Sequence, residues 1–206
     1  PPDTCLLSIM YASNITGTIM DMEAIVKAAR EINPDIYIIS DAVQHAPHAL
    51  IDVEKLKLDG LNFAPYKFFG TRGMGYGYVS DRVAKLPHRK ILQRPADVWE
   101  LGSPTPGNFA AMSAVVDYVC WIGSHFTDNT DRRALYAAGM ERIHLQERAL
   151  LWRMLEGSEK VPGLRTEARQ KLAALRPESF GRASRISGVS PADMAALAMY
   201  VGRRER

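Results

Sequence analysis

Two cysteines in 206 residues are too few for a disulfide framework. Cys5 and Cys120 lie far apart and form no metal spacing with the five histidines, so no zinc site is expected and both thiols read as free and buried. No run approaches the roughly 18 consecutive apolar residues that a membrane helix needs. The opening stretch PPDTCLLSIMYAS has no basic region of the kind that begins a signal peptide. The default compartment is therefore the cytoplasm, with no membrane contact. Internal repeats and low-complexity tracts are also missing. Neither sign of charge dominates, with 26 Lys and Arg facing 23 Asp and Glu. The small basic excess is uneven, because from Leu164 onward nine Lys and Arg face only four Asp and Glu. That pattern suits an acidic or nucleic-acid partner for this segment alone, or simply solvated helices.

What is present is a composition 47% apolar and 24% charged, that of a soluble globular chain of one or two domains. The first 80 residues alternate in type. LLSIM, DIYIIS, GLNFA and GYGYVS read as short strands, while DMEAIVKAAREI reads as a helix capped by its leading aspartate and DVEKLKL as a second, shorter helix. Strands alternating with helices predict an α/β layer with a mostly parallel sheet covered on its faces. From Gly107 the pattern turns helical, first through GNFAAMSAVVDYVCWIGSHF and then over a long stretch from about Asp128 to Glu156. GSEKVPGL reads as a turn and linker, followed by two short helices, TEARQKLAALRP and SPADMAALAMYVGRR.

The chemistry concentrates in two places. Asp41 follows an apolar strand directly, where open α/β sheets put their ligands, although an aspartate there also caps a following turn. Gln44 follows three residues later. Lys67 ends the next apolar run and is followed by the glycine-rich FFGTRGMGYG, a setting that can desolvate an amine and lower its pKa for Schiff-base chemistry. Taken singly, each of these residues is unremarkable. Together they are the set needed to hold pyridoxal phosphate, with an acid for the pyridinium nitrogen, an amide for the ring hydroxyl and an amine for the aldehyde.

In order and approximate spacing, ASNITGTIMD, DAVQHAPHALIDVEKLKLDG, YKFFGTRGMGYGYVS, WELGSPTPGNFAAMSAVVDYV and GMERIHLQERALLWRMLEG resemble the class V aminotransferase family. The resemblance covers residues 1 to about 163. It implies the C-terminal part of a fold-type I pyridoxal-phosphate transferase large domain over residues 1–160. It further implies that Lys67 forms the Schiff base and moves the α-proton of a small amino-acid substrate, that Asp41 keeps the pyridine nitrogen protonated, and that Gln44 and Asn14 serve the ring oxygen. Ser103 stands where many members carry a threonine that reaches the cofactor phosphate of a neighbouring subunit, which implies a homodimer. Ala64 and Tyr66 depart from the frequent Ser-x-His-Lys pattern, and Tyr66 can still donate a hydrogen bond to phosphate. Transamination, elimination and epimerisation are all open. Desulfuration is discounted, because Cys120 does not match the mobile nucleophile's position. Family members also carry a comparable length ahead of the segment matching residue 1, with the ring-stacking aromatic, a phosphate-binding turn and several strands. Weak catalysis is therefore expected of this polypeptide alone, whether it acts as transferase or lyase.

Residues 163–204, with LRPESFG and SRISGVSPADMAALA as their most specific parts, resemble the C-terminal helical subdomain of the FAD-dependent tRNA uridine 5-carboxymethylaminomethyl modification enzyme. This resemblance implies a helical tail that touches tRNA or a partner GTPase, and with it the alternative of a tRNA-modification module joined to a degenerate pyridoxal-phosphate domain. Under the first family's logic, Arg185 is a loose candidate for a substrate-carboxylate contact.

Overall fold

A computed structural model describes residues 2–102, 105–156 and 161–204. Its contacts divide the chain into two compact units, Pro1–Ala12 with Met20–Arg142, and Ser13–Ile19 with Ile143–Arg206.

The first unit is built on a four-stranded sheet in the order β1-β2-β3-β4. β1 (Leu6–Met10), β2 (Tyr37–Asp41) and β3 (Gly60–Phe63) run parallel, and β4 (Tyr76–Val79) closes the far edge antiparallel. Helix α1 (Met22–Ile32) begins where the Asp21 carboxylate accepts a hydrogen bond from Ala24 N at 3.0 Å, supplying a partner that helix geometry leaves missing. Met22 and Val26, one turn apart, bury against Ile36, Ile38, Leu58 and Leu61. Full burial of one such aliphatic side chain contributes about 1.5–3 kcal/mol. Leu7 and Ile9 of β1 join this core, whereas Leu6 and Met10 on the opposite face are 49% and 43% exposed. The expectation of a sheet covered on both faces therefore fails at β1, which among the described residues is also paired on one side only.

Asp59 ties the elements together from within. Its buried carboxylate accepts hydrogen bonds from Ile38 N at 3.0 Å, Ser80 Oγ at 3.1 Å and Arg30 Nη2 at 3.0 Å, and faces Arg82 Nε at 3.4 Å. The helix expected over DVEKLKL is only a turn. Asp52 starts it by accepting from Lys55 N at 2.9 Å, but Lys57 adopts a left-handed φ of 53° that turns Leu58 into the core and Asp59 onto its partners. After the short α2 (Asp81–Ala84), helix α3 (Pro106–Ser124) crosses α4 (Arg132–Glu156) closely enough to require glycine. A Cβ on Gly123 would overlap the Leu135 carbonyl, and one on Gly139 the Val119 carbonyl.

The second unit packs α5 (Thr166–Leu175), α6 (Phe180–Ala183) and α7 (Pro191–Arg204) around Val161, Leu164, Ala168, Leu172, Ala183, Val189 and Leu197. Val161 and Leu164, read from sequence as linker, are thus core residues, because the turn at Pro162 and Gly163 folds both inward. Ser190 and Asp193 close the start of α7 reciprocally. Asp193 N donates to Ser190 Oγ at 3.2 Å, and Ser190 N donates to the Asp193 carboxylate at 2.8 Å. The same carboxylate takes Arg165 Nη2 at 2.7 Å, fastening the α5 entry to α7. The segment Ser13–Ile19 belongs to this unit through α6, where a Cβ on Gly181 would meet Thr18 Oγ1 and the Thr16 carbonyl.

Candidate active site

β2 delivers Asp41 to the C-terminal end of the parallel strands, opposite Asn62 of β3 in register. Asp41 Oδ1 accepts from Val43 N at 3.0 Å and from Asn62 Nδ2 at 3.2 Å. The capping alternative raised by the sequence is thus realised, yet it uses one carboxylate oxygen only; Oδ2 has no hydrogen bond among the described residues. Gln44 sits half-buried in the turn that follows, beside buried His45, whose ring stacks on Tyr11 at 4.0 Å and 4°. Burial, with the nearby Asp21 charge second, raises the Tyr11 phenol above its ordinary value, so it stays neutral.

Lys67 ends the 3₁₀ turn Pro65–Lys67 that follows β3. The Pro65 carbonyl closes this turn by accepting from Phe68 N at 2.7 Å and Gly70 N at 2.8 Å. The Lys67 amine lies 5.7 Å from the Tyr66 ring centroid, and the Arg72 guanidinium lies 5.1 Å from the same ring. No ion pair with a described carboxylate engages Lys67 or Arg72. Tyr66 itself is half-exposed.

The structure therefore places Asp41, Gln44, Tyr66 and Lys67 in the first unit. Asn14 is exposed in the Ser13–Ile19 segment and clusters with the second unit instead. Arg185 is there too, donating to Thr18 Oγ1 at 3.4 Å. Ser103 lies outside the described residues. Sequence reading passed over Asn62 and Arg72. The signals for them were a lone amide inside the apolar run GLNFA and a lone cation inside the glycine run. Of the two thiols expected to be buried, Cys120 is, donating to the Arg132 carbonyl at 3.5 Å, whereas Cys5 is exposed. A cavity of about 640 Å³ elsewhere in the unit, between Ile51, Val53, Phe63, Phe68 and the Arg132–Arg133 mouth, is lined by none of the predicted site residues. Among the described residues no cluster of His, Cys, Asp and Glu could hold a metal, and no helix is long and apolar enough to cross a membrane.

Residues 1–151 match the family model described as aminotransferase class-V. The chain belongs to the class-V aminotransferase family. Residues 155–206 match a second model, the C-terminal helical bundle of the tRNA modifying enzyme MnmG/GidA. Among curated relatives, a probable cysteine desulfurase of Mycoplasma genitalium is 38% identical over 82 residues, covering 40% of this chain and 20% of that protein. A cysteine desulfurase of Dictyoglomus turgidum is 42% identical over 77 residues, covering 37% of this chain and 19% of that protein. The chain thus spans about a fifth of the length of these relatives. The fold is that of a cysteine desulfurase from Thermococcus onnurineus NA1, with a TM-score of 0.57 at 24% identity over 76% of this chain and 39% of that one. An Escherichia coli cysteine desulfurase gives 0.59 at 17% identity over 98% of this chain and 59% of that one.

These family members depend on pyridoxal phosphate, and the donor set of the first unit fits that group. A carboxylate oriented through one oxygen leaves the other to accept from a pyridinium N–H. An amine without a counter-ion suits an aldehyde, and a hydroxyl with a guanidinium beside it suits phosphate.

Proposed function

We propose that the chain carries the lysine side of a pyridoxal-phosphate site in an enzyme that transforms small amino acids at the α-carbon. The observation that carries this reading is the Asp41 carboxylate, held at a strand end by Val43 N and Asn62 with Oδ2 left open, in the same unit as the unpaired Lys67 amine. Bound there, the cofactor supplies an electron sink for the pair left on the α-carbon when its proton departs. Lys67 Nζ would hold the cofactor through its aldehyde carbon until the substrate's amine displaces it, and the freed amine would then take up the α-proton. Asp41 Oδ2 keeps the ring nitrogen's proton in place, Gln44 donates to the ring oxygen, and the Tyr66 hydroxyl donates to the phosphate. The family resemblance also assigns Asn14 to the ring oxygen and Ser103 to the cofactor phosphate of a neighbouring subunit. Cys120, buried in α3 with its thiol bonded to a carbonyl, is not placed to act as a nucleophile in this reading.

Adding pyridoxal 5′-phosphate to wild type and to Lys67→Ala and recording visible spectra tests this reading. A band present in wild type and missing from an equally folded Lys67→Ala is expected. A band of equal strength in both refutes it. The open β1 edge with exposed Leu6 and Met10 supports slow turnover and self-association for the isolated chain. A turnover number typical of enzymes, on the order of 10 per second, would overturn that.

A homodimer is supported by exposed aromatics on and just past α3, where Tyr118 and Trp121 of the helix and Phe126 beyond its end are 45%, 58% and 55% exposed. Sedimentation at the mass of a single chain would count against it. The match over residues 155–206 favours a second reading, in which the tail contacts tRNA or a partner GTPase. It predicts tRNA retention that weakens steeply with salt, and retention insensitive to salt rules it out.

A further inference from the structure

Phe69 is a large side chain in a backbone conformation that glycine normally occupies. Its φ is 58°, and it lies two residues after Lys67 and one before Gly70. For a bulky residue this conformation is strained. The adjacent glycine could have taken the left-handed position, but Gly70 serves another purpose: a Cβ there would stand 2.8 Å from Pro65 Cβ and 2.9 Å from the Pro65 carbonyl oxygen. Burial does not offset the strain either, because Phe69 is 59% exposed.

The Phe69 ring instead meets one element outside its own turn. It stands edge-on to Tyr118 of α3, with centroids 5.4 Å apart and planes at 79°. Two residues further on, Thr71 Oγ1 donates to Asn108 Oδ1 at 3.1 Å, near the start of the same helix. The lysine turn is thus fastened to α3 at two points, and the left-handed residue is what aims the ring at the first of them.

We infer that Phe69 is a positioning residue for Lys67. Its strained backbone and its edge contact with Tyr118 together fix where the Lys67 amine is presented. The inference rests on the assignment of Lys67 as the cofactor lysine. It places the strain beside the reacting group, where outliers of this kind concentrate. Replacing Phe69 by Gly should remove the strain and the anchor at once, so stability and lysine presentation should change in opposite directions. A residue that only held the fold together would move both the same way.

The test adds pyridoxal 5′-phosphate to the full chain, reduces with borohydride at timed intervals, and identifies the modified lysine by peptide mass. The expected result for Phe69→Gly is an unchanged or raised melting temperature with capture at Lys67 slowed about tenfold to a hundredfold. Phe69→Tyr should restore the wild-type rate. Tyr118→Leu, which leaves the lysine turn itself intact, should slow capture while Phe69 stays in place. Capture by Phe69→Gly at the wild-type rate overturns the inference, and so does slowing accompanied by a matching loss of melting temperature. If wild type shows no preference for Lys67 over its other lysines, the cofactor assignment fails first and this inference falls with it. That outcome is recognisable without any Phe69 variant.

Discussion

Replacing Asp193 by alanine should loosen the helical unit from within. The side chain is 1% exposed, and its carboxylate accepts from Ser190 N at 2.8 Å, Ser190 Oγ at 2.6 Å, Arg165 N at 3.2 Å and Arg165 Nη2 at 2.7 Å. Ser190 N–H loses its half of the cap and Arg165 N–H loses its acceptor, together costing about 2–4 kcal/mol, while the half-exposed guanidinium turns to water. That lowers the melting of a unit this small by roughly 10–30 °C. The carboxyl also carries a pH signature. Hydrogen bonds from Arg165 and then Ser190 hold it well below the usual carboxylate range. The unfolded chain therefore binds this proton more readily than the folded one, so the stabilisation is complete above the unfolded value near 4 and is lost as pH falls further. Circular-dichroism melts should be flat in this respect from pH 8 to about 5, then decline, and Asp193→Ala should lack that part of the acid decline. The reasoning is refuted if Asp193→Ala melts within about 2 °C of wild type at neutral pH, or keeps an identical acid limb.

Three further outcomes are expected of the first unit. Gly139→Ala forces α3 and α4 apart against the Val119 carbonyl and should destabilise by about 1–3 kcal/mol in urea titration, whereas Gly73→Ala has open space around its Cβ and should lose only the advantage glycine has at its φ of 93°. Asp59→Ala strands Arg30 and the Ile38 amide together and should cost about 3–5 kcal/mol by the same measurement, with Asp59→Asn intermediate. Burial, partly offset by Arg133 and reinforced by Cys120, pushes the Tyr136 phenol up to about 12. Ultraviolet titration should therefore show a late-ionising phenol that Tyr136→Phe removes, provided the unit stays folded at that pH.

The strands were legible because each is a short apolar run between turn residues, and Asp41 falls at the end of β2 as its position in DIYIISDAV requires. The failed helix over DVEKLKL shows where local reading stops. Asp52 starts a turn there just as a helix cap does, and nothing within those residues announces that Leu58 is needed in the core and Asp59 among its buried partners. The partner that orients Asp41 was illegible for a related reason. Asn62 faces it only through the β2–β3 register, and register is set by packing across the whole sheet. Asn14 lies close to β1 in sequence yet clusters with the helical unit, because Thr16 and Thr18 close against Gly181, a contact between residues more than 160 positions apart that no motif spacing encodes.

Phe69 marks the deeper limit. Sequence reading assigns left-handed backbone to glycine by default, and the run FFGTRGMGYG offers several. In the folded turn, Gly70 is consumed by its approach to Pro65, so the reversal falls on the residue before it. Steric need and conformational need compete for the same glycine, and only the folded turn shows which one it served. Where the two separate, the residue left carrying the strain is the one whose ring reaches α3, next to the lysine on which the proposed chemistry depends.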